Sequence, residues 1–362
     1  MSVASRLVVL LVMLLGLPPL AQADSASLLA KAQGADAARY AFLVGKGAEF
    51  RNTSDNQSFT VWWQPAGWKP TSGVIVALHG HGAYATSEAS LWQPYAEKHG
   101  YAVLALQWWF GGGEATSDYY TPDRMYPLLA TLLKSKGARK GTVLFTGFSR
   151  GSANSYAVAA LDNASGGSLL FGLVLSNAGT AATGYPPNQQ IAAGAFGPTP
   201  FGGMKWAMYC GEKDPDPTIN GCIGMRAAKD WVIRYGATML LFIDDPTGDH
   251  GGFMLNSANV ETALATYASV LAAATAAPAG NALSSTEADC LFAWAEDQYA
   301  STFVPRRPAS QTLPPYYYRH YETSKVYLGV SSADNHAWFV DAAGAFTDLG
   351  LAATWSAKAG CR

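Results

Sequence analysis

Charge is scarce in this 362-residue chain. Only 14% of residues are Asp, Glu, Lys or Arg, and 24 basic residues stand against 26 acidic ones, for a formal net charge of −2. With no basic excess to neutralise phosphates, a nucleic-acid partner is excluded as the reading of choice. Disorder is excluded as well, because 49% of residues are hydrophobic, enough to bury a large core. Cysteine is rare: there are 4, and no two stand in a C-x-x-C pair, which argues against a zinc site. Long apolar runs are missing after the first twenty residues, so no later segment reads as a membrane helix. No internal repeat is visible.

What is present begins with an address. Arg6 precedes an apolar run from Leu7 to Leu17, followed by Pro18, Pro19 and a small-residue site at Ala21-Gln22-Ala23. This is the layout of a secretory signal spanning residues 1–23, too short to cross a bilayer comfortably. No cysteine near the cleavage point suggests a lipoprotein. The cysteines agree with export, being even in number and late: Cys210, Cys222, Cys290 and Cys361. Four cysteines allow three pairings. The local one, Cys210–Cys222 with Cys290–Cys361, is favoured, and a secreted or periplasmic location permits it.

Residues 59–267 alternate apolar runs with helical stretches. The runs Val74–Leu78, Tyr101–Leu106, Thr142–Thr146, Leu173–Leu175, Trp206–Tyr209 and Met239–Ile243 are apolar enough for strands covered on both faces. Helical candidates lie between them at Pro122–Lys136, Ser152–Leu161, Met225–Tyr235 and Ser257–Ala274. The alternation predicts an α/β domain with a mostly parallel, doubly wound sheet over residues 24–275. An Ala/Ser/Pro-rich, nearly uncharged stretch, residues 276–286, reads as a linker. Residues 287–362 then form a small α+β module. It opens with a helix near Leu291–Glu296 and continues with strands near Tyr316–Arg319, Val326–Val330 and Ala337–Val340. A module this small would depend on the Cys290–Cys361 bridge.

Gly147-Phe148-Ser149-Arg150-Gly151 is a G-x-S-x-G between a predicted strand and a predicted helix. A tight strand-to-helix turn leaves no room for side chains beside the serine, so the glycines hold Ser149 at its tip as a nucleophile. A serine hydroxyl needs a base. Of the 6 histidines, His250 follows the last strand on a loop before a helix, where a base belongs. The acid should follow the strand next to last: Asp214 is the choice, with Asp216 a rival. Asp244, Asp245 and Asp249 are too close to His250 and read as a turn-forming loop. The oxyanion donors are expected to be the backbone N–H groups of Arg150 and of His81, with Gly82 possible. His79 and His81 could be read as an H-x-H metal pair, but no third ligand stands at metal spacing, so no metal and no cofactor are expected. Trp108 and Trp109, after a strand end, either line a substrate groove or sit in the core.

Gly80-His81-Gly82, the G-F-S-R-G, Asp214 and His250 together resemble the secreted α/β-hydrolases over residues 59–275. Within that superfamily they are similar to the polyhydroxybutyrate depolymerase, feruloyl esterase and acetylxylan esterase group. The resemblance implies a serine esterase acting on polymer-linked or plant-derived esters. The tail, with Cys290, Trp294-Ala295-Glu296, Tyr316–Arg319 and Gly360-Cys361, looks like a module found at the ends of secreted bacterial proteins; it is expected to offer a carbohydrate or polymer surface. A serine peptidase and an inactive binding protein on the same scaffold are the competing readings.

Overall fold

The computed structural model describes residues 24–361 apart from 165, 182–183, 276–282, 314 and 333–334. The signal at 1–23 lies outside the described residues, as does most of the linker. The described chain divides into two compact units between Ala274 and Thr275.

The first unit is built on eight strands: β1 Glu49–Asn52, β2 Phe59–Trp63, β3 Val74–Leu78, β4 Ala102–Leu106, β5 Val143–Phe148, β6 Phe171–Asn177, β7 Lys205–Gly211 and β8 Thr238–Asp245. Their order is β1-β2-β4-β3-β5-β6-β7-β8. β3 to β8 run parallel with β4, while β1 and β2 are antiparallel additions at one edge. Among the described residues nine α-helices accompany the sheet: α1 Ser25–Ala35, α2 Ala37–Gly45, α3 Ala85–His99, α4 Pro122–Ser135, α5 Arg150–Asn163, α6 Pro186–Ala192, α7 Cys222–Arg234, α8 Gly252–Leu255 and α9 Ser257–Thr275.

Strand side chains alternate between faces, and both faces are buried. Val74, Val76 and Leu78 of β3 join a core with Met125 of α4, Tyr156 of α5 and Met225 of α7. Ile75 and Ala77 join the opposite core with Leu28 of α1, Trp92 of α3 and Tyr267 of α9. This double cover is why the strands read as continuous apolar runs. The Tyr267 hydroxyl donates to the Thr142 carbonyl at 2.6 Å and accepts from the Val74 N–H at 3.1 Å, pinning the entry of β3 to that of β5.

The second unit contains α10 Ser285–Gln298, β9 Gln311–Leu313, β10 Tyr316–Tyr321, β11 Val326–Ser331, β12 His336–Val340, β13 Phe346–Leu351 and α11 Ala352–Lys358. The strands form an antiparallel sheet in the order β13-β12-β11-β10-β9. One face packs Leu328, Val330 and Ala337 against Phe292 of α10. The helix starts inside the expected linker because Ser284 and Glu287 form a capping box, each side chain bonded to the other's backbone N–H. Both disulfides have the local pairing, Cys210 with Cys222 and Cys290 with Cys361. No helix among the described residues is long and apolar enough to cross a membrane.

Candidate functional site

The parallel strands deliver their loops to one end of the sheet, the carboxyl ends where such sheets place their ligand sites. Ser149 follows β5, His79 to Gly82 follow β3, Asp214 follows β7 and His250 follows β8.

Ser149 caps α5 with φ 55°, a conformation a non-glycine residue adopts only where its surroundings impose it. Its N–H donates to the Asn177 carbonyl at 2.8 Å, fixing the turn to β6. A Cβ on Gly151 would come within 2.5 Å of the Leu78 carbonyl oxygen, and one on Gly147 would strike the Gly151 backbone. The two glycines of the motif are therefore required by the approach of α5 to β3 and β5.

His250 reaches both partners. Its Nε2 is 2.9 Å from Ser149 Oγ, and its Nδ1 is 2.8 Å from Asp214 Oδ2. A carboxylate only accepts, so Nδ1 carries the hydrogen and the Nε2 lone pair receives the serine hydroxyl. The Asp214 side chain is 1% exposed, whereas that of His250 is 30% exposed and open to a substrate. Asp216, the rival acid, spends its carboxylate on Thr218 Oγ1 and the Ile219 N–H of its own loop. Asp214 thus completes the line of three, and its other oxygen accepts the Asp216 N–H at 2.9 Å.

The loops that hold Asp214 and His250 are laced together. Glu212 N–H donates to the Asp245 carbonyl at 2.9 Å, and Lys213 N–H to that of Gly248 at 2.9 Å. The Cys210–Cys222 bridge closes the loop bearing Asp214 across 12 positions. Asp245 is the hub of the turn before His250. Its carboxylate accepts from Asn259 Nδ2 at 2.8 Å, from the Gly248 N–H at 2.9 Å, and from the Thr247 N–H and hydroxyl. These bonds, Asn259's foremost, hold its pKa down to about 2.

His79 has a role that sequence reading missed. It is fully buried, and desolvation pushes its pKa down to about 4, so the ring is neutral. Nε2 accepts the Trp108 N–H at 3.3 Å, which leaves the hydrogen on Nδ1 to donate to the Gly80 carbonyl at 2.8 Å. Gly80 C=O and His81 N–H belong to one trans peptide and point in opposite directions. The imidazole therefore clamps from behind the plane that carries the His81 N–H. Neither ring nitrogen of His79 is free to bind a metal. Gly82 N–H is engaged by the Tyr119 hydroxyl at 3.4 Å, which favours His81 over Gly82 as a free donor. Arg150 is the first residue of α5, where backbone N–H groups have no partner within the helix.

Trp108 needs correction. Trp108 is fully buried, and its indole N–H donates to the His79 carbonyl at 3.0 Å, so it lines no groove. Trp109 is half-buried, spends its indole N–H on the Gly113 carbonyl, and packs on Tyr84 and Tyr119. Among the described residues, one group has metal-ligand proximity: Cys210, Cys222 and Asp244, within 4.8 Å of one another. The two sulfurs are bonded to each other, so no thiolate is available there.

No family model matches the chain, and no curated protein matches it either. Solved structures do. A study of two fungal esterases from Rhizomucor miehei covers 68% of this chain and 92% of that one, at 11% identity and a TM-score of 0.50. Esterase B from Lactobacillus rhamnosis covers 69% and 96%, at 16% identity and a TM-score of 0.43. The hyperthermophilic esterase from Pyrobaculum calidifontis covers 69% and 94%, at 11% identity and a TM-score of 0.47. Likeness at such identities speaks to architecture, and with the strand order and the elbow at Ser149 it gives this chain the α/β-hydrolase fold.

Proposed function

We propose that this chain is a secreted serine esterase that hydrolyses carboxylic esters through an acyl-enzyme. The observation that carries the reading is the continuous relay Ser149–His250–Asp214, with contacts of 2.9 and 2.8 Å. Ser149 Oγ attacks the ester carbonyl as His250 Nε2 takes its proton. Asp214 holds the ring tautomer and stabilises the imidazolium. The carbonyl oxygen, now anionic, is met by the N–H groups of Arg150 and His81. His250 then protonates the departing alcohol, and in the second half it draws a proton from water, which releases the acid. No step calls for a metal or cofactor.

In this reading residues 1–23 are the export signal, 24–275 the catalytic domain, 276–286 the linker and 287–362 an accessory module. Two disulfides fit an oxidising compartment. The substrate is polymer-linked or plant-derived. Support comes from the face of the second sheet turned away from its helices, where Tyr316 and Tyr318 ring Trp338 at 5.9 and 6.1 Å and Phe346 is 65% exposed. Such rings suit the flat faces of sugars or polymers.

The test is a panel of acetyl, butyryl, long-chain, feruloyl and hydroxyalkanoate esters, run beside the Ser149→Ala variant. Ester turnover that disappears in the variant, with fluorophosphonate labelling of Ser149 alone, is expected. Amide cleavage faster than ester cleavage would favour a peptidase. A folded protein that resists labelling would favour an inactive scaffold.

A further inference from the structure

A cavity of about 260 Å³ opens between the segment leading into α4 and helices α5 and α6. Its walls are largely rings: Tyr119, Tyr120, Tyr185, Pro186 and Phe196. It adjoins the proposed reaction centre on two sides. Tyr119 accepts the Gly82 N–H of the oxyanion loop, and Arg150, another wall residue, follows Ser149 directly.

Among the described residues, Arg150 is the cavity's one cation. Its guanidinium lies 4.1 Å from the Tyr119 ring centre and donates to the Glu114 carbonyl at 3.1 Å. Among the described residues no carboxylate pairs with it, and the Glu114 carboxylate faces His81 instead. The lone acid of the lining, Asp123, is exposed and sits in the first turn of α4, where helix N–H groups complement its charge. A guanidinium offers five N–H donors in a planar fork that matches a carboxylate. Half-burying one without a counter-ion is costly unless an anion arrives to offset it. Stacking on Tyr119 already holds the fork, so little freedom remains to be lost on binding.

We propose that this cavity is an anion subsite, taking a carboxylate carried on the ester's acyl chain or on its alcohol, with Arg150 as the specificity-determining side chain. The inference rests on the esterase reading above and narrows its substrate to esters of acidic compounds. It differs from a purely aromatic pocket, which would prefer the uncharged form of the same compound.

The test uses two pairs of substrates that differ only in charge. Monoethyl succinate against ethyl succinamate probes the acyl side, and 4-carboxyphenyl acetate against 4-carbamoylphenyl acetate probes the alcohol side. In at least one pair the wild-type protein should favour the acid in kcat/KM by about tenfold. That preference should shrink with added salt, persist in part in Arg150→Lys and vanish in Arg150→Gln. Which pair responds identifies the side of the ester that enters. Equal or inverted ratios in both pairs, insensitive to salt, would overturn the subsite while leaving the esterase reading intact. Turnover of the ester panel with none of these four hydrolysed would likewise overturn the subsite alone, whereas no turnover of any ester, or full turnover by Ser149→Ala, would overturn the esterase reading and the subsite with it.

Discussion

The two units treat buried charge in different ways. In the first, the sheet is sealed by apolar side chains on both faces, and the fully buried Asp162 is met by neutral donors, the Tyr126 hydroxyl and the N–H groups of Leu170 and Phe171. In the second, the buried charge is paired with a cation. Arg319 donates to Glu296 at 2.8 Å and to Asp289 at 3.1 Å, and the Tyr321 hydroxyl donates to the same Glu296 oxygen at 2.9 Å. Glu296 is fully buried and also accepts the Arg307 N–H. The small core enlists a paired charge cluster to fix α10 against its sheet. Removing one partner of a buried pair leaves the other charge uncompensated, which is costly.

The sharpest way to test that division is to remove chemistry from the first unit without touching its packing. Ser149→Ala should lower kcat by about 10⁴-fold or more at unchanged melting temperature, read from ester hydrolysis and calorimetry. A comparable loss of both would mean that the serine is structural. The converse experiment breaks the second unit alone. Glu296→Gln should destabilise it by about 3–5 kcal/mol, seen as an earlier melting step, while ester turnover stays at the wild-type level. A single unshifted transition would show that the charge cluster contributes nothing to holding that core together.

His79→Phe tests a polar group of the first unit that is buried and yet serves the site. It should reduce kcat by about 10²-fold with KM little changed, because the Gly80–His81 plane loses its clamp. A rise in KM alone would separate His79 from the oxyanion donors. The smallest effect concerns acid. The Asp245 carboxylate titrates lower in the folded protein than in the unfolded chain, so its contribution is complete above about pH 4 and is lost as pH falls towards 2. Asp245→Asn should therefore cost about 2 kcal/mol at neutral pH, and the difference from wild type should close in acid. A constant difference across that range would assign the loss to shape and not to charge.

The features most legible in the sequence were those set by local geometry. The elbow at Ser149 announced itself because steric crowding on both sides admits only glycine. The central strands stood out because two-sided burial erases alternation. Asp214 was preferred to Asp216 from its place after the strand next to last, but the physical ground for the preference, Asp216 turned to its own loop, needed three dimensions. Trp108 and His79 were opaque for the same reason: each satisfies the other, a contact between residues 29 positions apart. The start of α10 was readable in principle, because Ser284 and Glu287 stand at capping-box spacing within an otherwise featureless stretch. β13 was not, for four of its six residues are exposed, and its apolar residues, Phe346, Leu349 and Leu351, break the strict alternation of a half-buried strand.

Tyr119 touches two things at once, the oxyanion loop through its hydroxyl and Arg150 through its ring. On the mechanism and subsite proposed above, reshaping that wall for another compound would be felt at the place where the fleeting negative oxygen is met. Selectivity and turnover thus share a hinge pin, and an engineer seeking a new substrate would do well to begin on the α6 side of the cavity and leave this phenol alone.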